Sequence, residues 1–450
     1  MLERELEAFL EHYTRSRLDG RPWRLIVNGD MVDFLSVCLL PQEGEILPDE
    51  IAELDPEDKV FGLGTRPLAA RAKMRAVIRR HKAIFGALAR FIGAGNTVSI
   101  IAGNHDVEFH WPTVQETFRS GVAEAWASDA SSKRPDARSA AEVQTSVTFH
   151  PWFFFQEDVV WVEHGHQYDD YCSFDYVLNP VAPKKEEIVL NVGAAGMRYV
   201  ANHFQTDHAS GQEDWTFLGY VMWSLQKGAR TLGRIGKAYF WMAIRLLTAW
   251  RVFVKQPEAV EARRLTHRER LRALATQCQL SEETLAAIDE LRRRPIIQNF
   301  AALIMALMLD RLLVFSAATL LILVFVLALP WLWALGAVAG VVGTTYGVSR
   351  WLAGRRVSID PIEKMKAVPR LIRRHVRAPF VVFGHSHDPA AVELGDGGWY
   401  FNTGTWVATE KPGLLNSFTH VLIRHGDEGP QAHLCQWWDG QSRLYVPSRA

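Results

Sequence analysis

The chain has 450 residues, in which 50 Lys and Arg balance 50 Asp and Glu, so the overall charge names no partner and a nucleic-acid-binding protein is not expected. Its four cysteines, Cys38, Cys172, Cys278 and Cys435, are far apart and form no Cys-x-x-Cys pair, which argues against a disulfide framework or a thiolate zinc site and fits a reducing compartment. The length accommodates one large domain with an insertion, or two to three domains. The charged opening Met1-Leu-Glu-Arg-Glu lacks the apolar core of a signal peptide, which predicts a cytoplasmic globular part.

In chain order, residues 2–13 have a helical pattern, and 24–27 form an apolar, β-branched run ending in Asn28-Gly29-Asp30, with Asp33 just beyond. A second helical pattern covers 69–91. The run 97–101 ends in Ala102-Gly103-Asn104-His105-Asp106, and 129–142, rich in Ser, Ala and Arg, is expected to be a surface loop. The run 159–162 leads into Glu163-His164-Gly165-His166, and 380–383 into Gly384-His385-Ser386-His387. Each of the four runs reads as a buried strand closed by a polar cluster. Ligand sites in α/β proteins assemble at the carboxyl ends of strands, so four such clusters predict one convergent site. Three of them precede the helical block and one follows it. An insertion is therefore predicted, with boundaries at 1–178, 179–366 and 367–450.

Within that block, 312–349 is a run of 38 uncharged residues. As one straight helix it would measure about 57 Å, against roughly 30 Å for a bilayer core. Two membrane spans turning at Pro330, flanked by Trp331 and Trp333, are expected, with a buried hairpin of a soluble protein as the alternative. Gly336, Gly340, Gly343 and Gly347 share one face of the second span, as close helix packing in lipid favours. Arg292, Arg293, Arg294 and Arg311 before the pair, and Arg350, Arg355 and Arg356 after it, predict that both ends are cytoplasmic. Upstream, Lys227, Arg230, Arg234, Lys237, Arg245, Arg251 and Lys255 occur with Trp241 and Trp250 and without a carboxylate. This pattern suits a basic amphipathic helix at the membrane interface, or else a helix packed on the core by its apolar face.

Taken singly, Gly29-Asp30-Met31-Val32-Asp33 and Gly103-Asn104-His105-Asp106 are also turn chemistry, and His164, His166, His385 and His387 are also ordinary hydrogen-bonded histidines. Their joint occurrence, each after a strand, predicts a metal site. A carboxylate such as Asp30 can bridge two divalent cations. Neutral imidazoles and an amide oxygen complete the shells without adding negative charge against a phosphate. His and Asp donors without thiolate fit Mn, Fe or Zn better than copper. Such ions acidify a bound water and neutralise phosphoryl oxygens. His105, oriented by Asp106, is the expected proton donor to the leaving oxygen.

The series Gly-Asp-x-x-Asp, Gly-Asn-His-Asp, His-Gly-His and Gly-His-x-His resembles the calcineurin-like metallophosphoesterase superfamily, over about residues 1–179 and 370–438. The runs 104–111 and 399–406 look like its UDP-2,3-diacylglucosamine pyrophosphatase-like branch, although His105 stands where that branch commonly has Arg. The resemblance implies an α/β sandwich of two mixed sheets flanked by helices, here with a helical membrane insertion, and two divalent metal ions. Carried onto this sequence, Asp30 bridges the ions, Asn104, His164 and His385 join it on one, and His387 binds the other. His105 assists the leaving group, while Asp33 and His166 support the site from behind. The implied reaction is hydrolysis of phosphoester or pyrophosphate bonds in a phosphorylated small-molecule or lipid substrate. A tethered enzyme for soluble nucleotides and a non-catalytic scaffold with a degenerate site are the alternatives. The superfamily's opening Asp-x-His is absent from the 450 residues. Its strand belongs just before residues 2–13, which predicts a chain short at its N-terminus, an unpaired sheet edge and an incomplete second metal site.

Overall fold

The structure, a computed structural model, describes residues 2–40, 49, 54–183, 185–204, 229–355, 362–395, 397–407, 417–426 and 429–446. It is a mixed α/β fold with several sheets flanked by helices. A parallel sheet runs β1 (Arg24–Asn28), β2 (Thr97–Ile101) and β3 (Val147–His150), in that order. A five-stranded sheet has the order β4 (Phe153–Gln156), β5 (Val160–Glu163), β6 (Phe380–Phe383), β8 (Trp399–Asn402) and β7 (Ala390–Glu393). An antiparallel sheet follows, with β10 (Gly429–Trp438) between β9 (Thr419–Gly426) and β11 (Gln441–Leu444).

β5 and β6 are buried at every residue, as strands covered on both faces are, and apart from Glu163 at the end of β5 their sequences are accordingly apolar without alternation. β1 lies at the end of its sheet, and no strand pairs with its outer edge among the described residues. Its residues are exposed or half-buried, whereas β2 is buried from Val98 to Ile101. The helix Leu2–Arg15 turns Phe9, Leu10 and Tyr13 inward. There Phe9 meets Trp406, His420 and Trp437 edge-on, joining the N-terminal helix to the C-terminal sheet.

β5 and β6 pair in parallel, Val160 against Phe380, so the residues between them leave one sheet and re-enter it. The helix Ile362–Arg373 straddles residue 367, because Met365, Val368 and Ile372 pack with Val381 and Phe383. At the other end, buried Arg198 donates to Leu63 O at 2.8 Å and Gly62 O at 3.0 Å and pairs with Asp58 at 3.2 Å, which ties that segment to the first part. The pattern at 69–91 is two helices, Pro67–Arg80 and Lys82–Gly93, broken at His81, where the backbone leaves the helical region. The loop expected at 129–142 contains a 3-10 turn, Ala130–Lys133, and the start of a helix, Ala140–Thr145, set by a Ser139–Glu142 capping box.

Two helices, Leu309–Ala328 and Trp331–Ala353, are long and apolar enough to cross a membrane. Leu313, Leu327, Trp331 and Trp333 are between 68% and 77% exposed, an apolar surface that water would penalise heavily. The helices pack on each other, and only Ala318 and Ala334 within them are buried. The four glycines do not mediate this contact: a Cβ at Gly336, Gly340, Gly343 or Gly347 would meet nothing within 4 Å. Lys227 and Arg356 lie outside the described residues.

Candidate metal centre

The loops after β1, β2, β5 and β6 supply one group each to a single cluster. His164 Nε2 lies 3.1 Å from Asp30 Oδ2 and 3.1 Å from Asn104 Oδ1. Asn104 Oδ1 in turn lies 2.9 Å from His385 Nδ1. Ligands held about 2.1 Å from a divalent ion in octahedral array are about 3.0 Å from their neighbours. The observed spacings match that edge.

The proton positions sharpen the fit. His164 Nδ1 is 2.8 Å from Asn28 O, which can only accept, so that nitrogen carries the proton. Nε2 is then directed at a carboxylate and an amide oxygen. His385 Nε2 donates to Asp169 Oδ2 at 3.0 Å, which directs the Nδ1 lone pair at Asn104. Two imidazole nitrogens and two oxygens thus converge where positive charge is wanted. Burial opposes charge on His164, yet the Asp30 carboxylate overrides it and raises the ring's pKa. Burial likewise works against the Asp30 charge, but His164 and His105 hold that carboxyl well below its usual range. His385 is lowered by burial and stays neutral, with its Asp169 partner opposing the shift. A cation fits this donor set.

The backbone is committed to the arrangement. Among the described residues nine non-glycine residues have positive φ, and Asp30 at 54°, His385 at 63° and His387 at 57° are three of them. Each such residue costs about 1–3 kcal/mol and persists only where its surroundings hold it. His105 N–H donates to Asp30 Oδ1 at 2.9 Å. Asn402 Nδ2 donates to Gly384 O at 2.8 Å and Ser386 Oγ at 3.0 Å, fixing the His385 loop. Gly29 has φ 78°, and a Cβ there would overlap the His164 ring; one at Gly103 would overlap the Asp30 carboxylate.

Asp106 does not orient His105. Its fully buried carboxylate accepts from Gly103 N–H at 2.6 Å and Met31 N–H at 2.8 Å, clamping the first two loops together. Burial and the neighbouring Asp30 raise its pKa to about 7. The partner of His105 is Asp33, with Nδ1 to Oδ1 at 2.9 Å. Burial works against charge on His105, but that hydrogen bond and the fields of Asp30, Asp33 and Asp106 raise its pKa to about 10.

His166 is buried with its ring centre 5.5 Å from that of His164 and 6.4 Å from that of His385. Burial holds its pKa well below the usual value. Its Nε2 meets Gln167 Nε2 at 2.9 Å, and its Nδ1 has no partner among the described residues. His387 is exposed, two residues beyond His385 on the same loop. The Asp-x-His that the resemblance implies for a second ion does not occur in the sequence.

Sequence reasoning missed Asp169, Asn402 and the carbonyl of Asn28. Asp169, Cys172 and His385 each place one possible donor atom within 4.8 Å of the others. Hydrogen bonds already close this trio: Asp169 accepts from His385, from Tyr171 N–H at 2.9 Å and from the Cys172 thiol. Burial pushes that thiol well above its usual pKa, so the trio reads as a support behind His385, as carboxylates behind metal-binding imidazoles are. Asn402 sits in the run 399–406 that the sequence marks.

Comparison of the chain with protein-family models, with curated proteins and with solved structures gives no match.

Proposed function

We propose that the chain is a metal-dependent hydrolase of phosphoester or pyrophosphate bonds, built on a calcineurin-like sandwich and anchored in a membrane by its apolar hairpin, with a phosphorylated small molecule or lipid as substrate. The observation that carries this reading is the contact of Asp30, Asn104, His164 and His385, from four strand ends, at 2.9–3.1 Å. These four would hold one divalent ion of the Mn, Fe or Zn class, and Asp30 with His387 would contribute to a second. Bound ions of this kind acidify a water and neutralise phosphoryl oxygens.

The chain's own groups account for the rest. The Asp33 carboxylate beside it favours the protonated form of His105, whose Nδ1–H is fixed on Asp33. That leaves Nε2 to meet a leaving oxygen and deliver the proton it needs. Asp33 positions the ring, Asp106 holds the two loops in register, and neutral His166 packs behind the ligands without adding charge.

The exposure of His387 and the lack of Asp-x-His favour a second reading, a metal-binding but non-catalytic domain. Metal content per chain, measured on protein purified in detergent beside H164A and H385A, tests the site. Metal retained in full by both variants would sink it. Assay of phosphoesters and lipid pyrophosphates with Mn, Zn and Mg then separates the readings: turnover lost in H164A supports the hydrolase, and bound metal without turnover of any ester supports the second.

A further inference from the structure

The helix Ala229–Lys255 has two faces with different tasks. Inward, Met242, Ala243 and Leu246 pack with Ile296, Leu303 and Leu307, Ala238 is buried, and the Trp250 ring lies 4.5 Å from that of Phe300, tilted by 37°. Arg245 also turns inward, to Glu57 at 3.3 Å. Outward, Arg230, Arg234, Lys237, Trp241, Ile244, Arg251 and Lys255 are all exposed, and at helical periodicity they fall within an arc of about 100°. Phe240, 63% exposed, borders it. The helix contains no carboxylate, and the five cations of this face make no ion pair among the described residues.

The face lies beside the foot of the hairpin. Leu307, in the cluster that covers the helix's inner side, lies just before the first apolar helix, and Leu309, packed against that cluster, begins it. The two apolar helices pack together across the short turn Leu329-Pro330, so the hairpin's other end, with Arg350 and Arg355, returns to the same level. A helix held there meets the headgroup layer of any bilayer the hairpin enters. Five cations, a Trp and a Phe suit that layer if it is anionic.

We infer that the outer face of Ala229–Lys255 docks on an anionic lipid surface at the base of the hairpin, seating the globular part against the membrane. This rests on the membrane reading of the hairpin and not on the hydrolase. Each cation near an anionic leaflet adds a bias of about fivefold (~1 kcal/mol), so neutralising three of them removes most of the attraction.

The test uses the full chain in nanodiscs of phosphatidylcholine, with or without about a third phosphatidylglycerol, and reads hydroxyl-radical oxidation of Trp241 and Phe240 by mass spectrometry. Oxidation should be slower in the anionic discs by about fivefold. The difference should vanish near ~0.5 M NaCl, where surface charges are screened, and in the variant R230Q/R234Q/K237Q. Equal oxidation in both discs overturns the inference while leaving the hairpin intact. Undiminished protection in the triple variant overturns it too, because another element would then cover the face. Protection by duplex DNA with lipid-independent oxidation would reassign the face to nucleic acid. Failure to enter either disc overturns the hairpin and this inference together.

Discussion

Replacing Asp169 by Ala removes the acceptor of His385 Nε2–H, at 3.0 Å, without touching any of the four converging donor atoms. Both side chains are 8% exposed, so water does not readily take the acceptor's place. An unsatisfied donor there costs about 1–3 kcal/mol. The ring can escape that cost by turning or by moving its proton to Nδ1, and either change withdraws the lone pair now directed at Asn104. Loss of a carboxylate behind a metal-binding imidazole typically weakens the metal about 10–100-fold, or roughly 1.4–2.8 kcal/mol. The two routes therefore agree. Asp169→Asn keeps an acceptor but loses the charge, and its loss should fall at the low end, about tenfold. Calorimetric Mn titration of the full chain in detergent measures all three proteins, with a thermal melt of metal-free samples to show that each variant folds. Folded D169A binding Mn within about twofold of the parent, against the range above, would refute the idea that His385 is a ligand held in place by Asp169.

Three further outcomes follow from the same geometry. His105→Ala should slow ester hydrolysis by about 10²–10⁴-fold with metal content unchanged, since the ring delivers a proton rather than binding the ion; loss of metal from the purified variant would place His105 among the ligands. Gly29→Ala should cost on the order of 3 kcal/mol, from the left-handed backbone and the overlap with His164 together, and an unshifted melting point in metal-free buffer would contradict that packing. Glu163 is 1% exposed and accepts from Tyr168 Oη at 2.6 Å and Trp152 Nε1 at 2.8 Å; burial, opposed by those bonds, raises its pKa from 4.5 to about 7. Between those values the folded chain holds a proton that the unfolded chain has lost, so stability should fall by up to roughly 3 kcal/mol as pH rises through the window. Melting points of E163Q should lack this slope, and parallel pH profiles for the two proteins would refute it.

The elements that were legible in the sequence share a physical cause. β5 and β6 are buried on both faces, so their apolar runs stand out, and each ends in one of the polar clusters. β9 and β11 cover the core on one side only, and runs such as Gln441-Ser-Arg-Leu offer no contrast with a loop. The break at His81 has neither Gly nor Pro to announce it.

At the site, each motif encodes what its own loop needs: Gly29 because a Cβ would strike His164, and Asp30, His385 and His387 in a left-handed backbone that few residues accept. Which side chains then meet is decided by the packing of separate sheets. Adjacency in the chain made Asp106 look like the partner of His105, yet the carboxylate that reaches the ring is Asp33, from the loop after β1. Asp169 is the extreme case. It stands in the polar run Gln167-Tyr168-Asp169-Asp170, and its partner is 216 residues away. No local pattern marks it, because its role comes from β5 and β6 lying side by side. Residues that contact the reacting groups are constrained by chemistry, and so leave a motif. Residues that hold those groups in place are constrained only by position, and for them the three-dimensional contact is the first evidence.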